Sequence, residues 1–190
     1  GAIANLGAKS TVICPNGEGS LEASKINGVE KVISVNGDCF DSFDGSAWAS
    51  AINSVCEGTV IISASPKGRE IGSMIAAKRK IPIIQDVTAI TSGIVVNRPI
   101  YSGKATETLK IEGEAVITLR PNAFENAEVG NEAPISIVDQ TSDLRVAIIE
   151  AINKASERLD VTEADVIISG GRGMGSIDNF SHLESIADSL

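Results

Sequence analysis

The sequence predicts an α/β fold: a Rossmann-like, three-layer domain with a mainly parallel sheet and an antiparallel extension, followed by the beginning of a second domain. Three observations carry this. Short, continuously apolar, β-branched runs recur at Thr11–Cys14, Val32–Val35 and Val60–Ser63, the pattern of strands buried on both faces. Helical stretches separate them, which implies parallel βαβ units with right-handed crossovers. Late in the chain, Val166-Ile167-Ile168 runs into Ser169-Gly170-Gly171-Arg172-Gly173 and a new apolar stripe, which reads as strand, glycine turn and helix opening a second unit.

Taken in order, Ser10–Cys14 reads as a strand ended by the turn composition Pro15-Asn16-Gly17. Leu21–Lys25 is a short crossover helix, Val29–Val35 the next strand, Trp48–Cys56 a second helix and Thr59–Ser63 a third strand. The pattern changes after Pro82. Ile94–Tyr101, Ala105–Ile111 and Ala115–Arg120 are strand candidates joined by Ser102-Gly103-Lys104 and Glu112-Gly113-Glu114, turns too short for helical crossovers, so all three are expected to pair antiparallel. Ala123–Pro134 is acidic and irregular, and Ile135–Val138 reads as an exposed strand. Ser142–Leu159 carries Leu144, Ala147, Ile148, Ala151, Ile152 and Ala155 at helical spacing. The domain boundary is expected near Asp160-Val161-Thr162, giving domains 1–160 and 161–190.

Composition narrows the function. The 190 residues carry a formal charge of −9 and are 43% hydrophobic, enough for one good core and too apolar for a disordered chain. No apolar stretch approaches the roughly 18 residues needed to span a bilayer. The 16 basic residues form no stripe with interleaved aromatics, of which there are one Trp, one Tyr and four Phe, so nucleic acid is a poor partner on electrostatic and stacking grounds. Cys14, Cys39 and Cys56 are odd in number and far apart, without a Cys-x-x-Cys pair, which supports neither a disulfide framework nor a metal centre. They read as ordinary cytosolic thiols, in a cytoplasmic protein. His182, the single histidine, has no nucleophile motif beside it and reads as a solvated helix residue.

Two loops could hold an anion. The turn Ser169–Gly173 would place backbone N–H groups at a helix N-terminus, where the dipole favours negative charge, and Arg172 adds a cationic fork. Ser63–Arg69 follows a presumed parallel strand, where α/β sheets place ligands. Lys67 and Arg69 could hold a phosphate there, or the small residues could serve strand-to-helix packing with both bases in solvent.

The string from Ala164 to Gly173, continued by Asn179-Phe180, Leu183-Glu184 and Ile186-Ala187-Asp188, resembles the start of the FAD domain in the α subunit of electron transfer flavoproteins. Val60–Glu70 running on to Ile75-Ala76-Ala77-Lys78, Ile84–Ile90, Arg98–Ala105 and Thr118–Phe124 resemble further segments of that family in the right order. The resemblance implies that Arg172 lies against FAD, with Ser169, Gly170, Gly171 and Gly173 shaping the turn. It implies an electron carrier rather than a catalyst in its own right, taking electrons from acyl-CoA-type or other dehydrogenases, with a β subunit as partner.

Relative to that family, most of the FAD domain after the glycine turn is missing, and Ala2–Ala8 looks like only the last turns of the N-terminal helix. FAD is therefore expected to bind this chain weakly or not at all. The apolar strand and helix after Thr162 are expected to dock on another copy of the chain, to fold back on the first domain or to be mobile, self-association being preferred. Two other readings stay open: a flavin-free protein-interaction module, and a small adenine-nucleotide-binding domain using the Ser63–Arg69 loop.

Overall fold

A computed structural model describes residues 2–130, 132–140, 164 and 166–189. The chain divides into two compact units, 1–148 and 149–190, and each is taken by itself. The expected helix Ser142–Leu159 and the expected boundary near Asp160 lie outside the described residues.

The first unit begins with helix α1 (Ala2–Leu6) and strand β1 (Ser10–Pro15), then α2 (Ser20–Ser24), β2 (Val29–Asn36), α3 (Gly45–Val55), β3 (Val60–Ser63) and α4 (Pro66–Arg79). Local sequence explains the two longer helices. Asp44 caps α3, its carboxylate accepting from the amides of Ser46 at 2.9 Å and Ala47 at 3.1 Å. Ser65 caps α4 by accepting from Gly68 N at 3.1 Å, Pro66 stands at the start, and Lys80 closes the helix in the left-handed conformation.

Strands β4 (Ile83–Val87) through β9 follow: β5 (Ala89–Thr91), β6 (Val95–Ile100), β7 (Ala105–Lys110), β8 (Val116–Leu119) and β9 (Ile135–Asp139). They form three three-stranded sheets, β1-β2-β9 and β3-β8-β4, both parallel, and β5-β6-β7, antiparallel. The mixed α/β, Rossmann-like architecture is as the sequence predicts, with two corrections. Thr11–Cys14, Val32–Val35 and Val60–Ser63 do lie in parallel pairings, but β3 belongs to a different hydrogen-bonded sheet from β1 and β2. Strand β8, expected antiparallel beside β7, instead runs parallel between β3 and β4.

The reason is burial. Val116, Ile117 and Thr118 are all 0% exposed, so this strand needs cover on both faces, which the interior of a parallel sheet supplies and an antiparallel edge does not. Alternation then sends Val116 into the core made with α3 and α4, and Ile117 into the core shared with α1, β4, β5 and β6. The excursion β5–β7, with Val95–Ile100 and Ala105–Lys110 paired antiparallel as expected, occupies the connection between β4 and β8. Strand β9 is the exposed strand foreseen, with Ile135 and Ile137 open to solvent, and pairs parallel with β2.

In the second unit the expected strand Val166–Ile168 does not form. Val166 and Ile167 are exposed, and no strand pairs with them among the described residues; a strand exists only through the hydrogen bonds of a neighbour. Two single-turn 3₁₀ helices, Arg172–Met174 and Ile177–Phe180, precede α5 (Ser181–Ala187). The apolar stripe at Leu183 and Ile186 is helical as expected, but α5 starts after Phe180, so Gly170 and Gly171 do not sit at an α-helix N-terminus.

Candidate functional site

Two places gather chemistry-bearing side chains. The first is the carboxyl edge of the β3-β8-β4 sheet, where parallel strands end and ligands commonly sit. Asp86, near the end of β4, is the centre. Its carboxylate accepts from Arg120 Nε at 3.1 Å and Nη2 at 2.5 Å, a bidentate fork, and from Arg69 Nη2 at 3.5 Å. Asp86 takes a left-handed backbone, φ 64°, and its amide donates to the buried Thr118 Oγ1 at 3.0 Å. The side chain at 86 is therefore aimed by β8. The hydrogen bonds from Arg120 hold the Asp86 carboxyl below its ordinary range, partial burial opposes this, and the charges of Arg120 and Arg69 add to the lowering.

This cluster decides how the Ser63–Arg69 loop is used. Arg69 also donates from Nε to the Ala64 carbonyl at 2.8 Å, and Lys67 Nζ sits 5.2 Å from the centroid of the Phe43 ring. Both bases thus have partners within the protein, and the Arg69 fork is spent on Ala64 and Asp86. The arrangement ties the ends of three parallel strands together and argues against a phosphate held by Lys67 and Arg69. The packing alternative is the better account, though Arg69 is engaged rather than simply solvated.

The second place is the turn Ser169–Gly175. Ser169, Gly170, Gly171, Arg172 and Gly173 are all exposed. The Met174 amide donates to Gly171 O at 2.9 Å and the Gly175 amide to Arg172 O at 3.2 Å, closing the turn. The Arg172 guanidinium has no partner among the described residues. A Cβ added at Gly171 or Gly173 would meet nothing within 4 Å, whereas one at Gly170 would lie 2.6 Å from Leu183 Cδ1 and 3.0 Å from Met174 Cγ. Gly170 is thus needed for packing, while Gly171 and Gly173 leave a bare backbone surface open beside the Arg172 cation. Such a surface fits one face of a flat, anionic group.

Sequence reading located the turn and placed Asn179 in the string that follows it, but gave no role to Asn179, whose Nδ2 donates to Met174 O at 2.6 Å, nor to Asp86 at the other site. A polar residue that bonds five positions back in an irregular stretch leaves no periodic signal. Among the described residues no group of three or more His, Cys, Asp or Glu could hold a metal ion, and no helix is long and apolar enough to cross a membrane. Cys14 and Cys39 are buried; burial pushes the Cys56 thiol up, opposed by the charge of Arg79.

Parallel sheets under helices, with an antiparallel excursion between two of the parallel strands, define an α/β protein of the Rossmann-like type. Residues 4–143 match the family model described as "Electron transfer flavoprotein domain", and the chain belongs to that family as an α-subunit-like member. It is 29% identical over 174 residues to the electron transfer flavoprotein subunit alpha of Bacillus subtilis, covering 86% of this chain and 54% of that protein. The subunit alpha of Paracoccus denitrificans is 29% identical over 191 residues, 95% of this chain and 61% of that one. The mitochondrial subunit alpha of Oryza sativa subsp. indica is 31% identical over 176 residues, 85% and 49%. The chain spans about half to three fifths of the length of these relatives.

Proposed function

We propose that this chain serves an FAD-dependent electron carrier that works with a β subunit in the cytoplasm, between dehydrogenases and an acceptor. Family membership supports electron transfer, and the observation that carries the site is the exposed Arg172, without a partner among the described residues, beside the open backbone of Gly171 and Gly173. A bound flavin would supply the electron carriage itself. The chain's own contribution is electrostatic: Arg172 favours the negative charge that arrives with electrons, while Ser169 and the glycines let the backbone approach closely. No side chain makes or breaks a bond. Because the turn offers one wall only, binding by this chain alone is weak, and the partner and further contacts supply the rest.

The test is to coexpress the chain with a candidate β subunit, measure released FAD, and compare wild type with R172A. Wild type should retain flavin. Two unit charges in contact attract by about 1 kcal/mol in a water-like medium, so losing the Arg172 charge should lower a one-electron midpoint potential by about 40 mV. Equal potentials and equal flavin content in both proteins would refute the assignment of Arg172.

A further inference from the structure

The Arg172 guanidinium makes no bond of its own among the described residues, and the backbone of the turn that carries it fixes where its Cα–Cβ bond points. What holds that turn lies several residues away. The Met174 carbonyl accepts from two donors, the Ser176 amide at 2.9 Å and Asn179 Nδ2 at 2.6 Å. Asn179 stands in the 3₁₀ turn Ile177–Phe180, immediately before α5, whose first residue Ser181 donates its hydroxyl to Asp178 O at 2.7 Å. From the apolar side, Leu183 of α5 and Met174 close over the bare α-carbon of Gly170. Besides its own backbone hydrogen bonds, the turn is thus held by packing at Gly170 and by one side-chain amide at Met174.

We infer that Asn179 is a positioning residue, which presets the Arg172 turn by donating to the Met174 carbonyl before any ligand arrives. The inference rests on the flavin reading of Ser169–Gly173 for its purpose, but not for its geometry. Its energetic basis is preorganisation: without the Nδ2 donor the Met174 carbonyl keeps only the Ser176 amide, and the turn samples other shapes that must be refolded on binding.

The test uses the full 190-residue chain with FAD as probe. N179A and N179D are compared with wild type and R172A by amide hydrogen exchange and by flavin fluorescence titration, with far-UV circular dichroism as the check on folding. N179D preserves shape but replaces the donor by a carboxylate, which can only accept. At pH 7 both Asn179 variants should speed exchange at Met174, Gly175 and Ser176 and weaken FAD by about three- to tenfold, the value of one hydrogen bond. Acidification below about pH 4 should protonate the introduced carboxyl, restore a donor and raise protection, measured against the intrinsic exchange rate at the same pH, in N179D but not in N179A.

Unchanged exchange in both variants overturns the inference. So does faster exchange with undiminished FAD binding where R172A does weaken it, because Asn179 would then hold the turn without serving Arg172. If wild type and R172A show the same titration with FAD, the flavin reading is left to the coexpression test with a β subunit, and exchange with its acid rescue alone decides whether Asn179 sets the turn.

Discussion

Replacing Gly68 by alanine should destabilise this protein, against the helix propensity of the two residues. Gly68 stands in the first turn of α4, where alanine is ordinarily favoured by about 1 kcal/mol. A Cβ built there, however, falls deep inside the van der Waals radius of the Ser63 carbonyl oxygen, 3.1 Å from the carbonyl carbon and 3.1 Å from Ser65 Oγ. Those atoms belong to the end of β3 and to the cap of α4, and neither can yield without lifting the helix from the strand. Overpacking of this kind costs about 1–3 kcal/mol, occasionally more. Lifting α4 would also disturb the Arg69 bond to Ala64 O, so a loss of about 3 kcal/mol is expected.

Gly45, at the start of α3, supplies the control. A Cβ there would also collide, at 2.6 Å and 2.8 Å from Glu70 Cδ and Cγ, but these belong to an exposed, flexible side chain that can swing away. G45A should stay within about 1 kcal/mol of wild type. Thermal unfolding of the 190-residue chain distinguishes them: G68A should melt about 6–12 °C below wild type and G45A within about 4 °C. A G68A variant as stable as wild type would refute the close approach of α4 to the end of β3. Equal losses in both would refute the distinction between backbone and side-chain obstacles.

Two further outcomes are expected. Because Arg120 lowers the folded-state carboxyl value of Asp86, the stability it contributes is complete above the unfolded value of about 3.9 and is lost as pH falls through the lowered folded value; D86N should therefore be less stable than wild type at pH 7, with a gap in Tm that narrows below about pH 4. Arg79, 14% exposed, donates Nε to Asn53 Oδ1 at 2.6 Å, Nη1 to Gly58 O at 2.8 Å and Nη2 to Cys56 O; R79A strands three acceptors where α3 meets β3 and should cost about 2–4 kcal/mol in urea unfolding, while a loss under about 1 kcal/mol would show that water replaces the fork.

The order of strands and helices through β3, the antiparallel pairing of Val95–Ile100 with Ala105–Lys110, and the Ser169–Gly173 turn were determined by sequence alone, because hydrophobic period, capping residues and glycine runs act within a few positions of themselves. The tertiary structure decided what depends on distant partners. Val116-Ile117-Thr118 is apolar enough for a strand in any sheet; that it lies parallel between β3 and β4 follows from which surfaces are left to cover it. Val166-Ile167-Ile168 has strand propensity, but with no neighbour among the described residues to share its hydrogen bonds it is irregular. Asp86, near the end of β4, gains its meaning from Arg120, 34 residues on, and Asn179 gains its meaning from a carbonyl that only the folded turn brings within 2.6 Å. A hydrogen bond or an ion pair is a relation between two places, and local composition records only one of them.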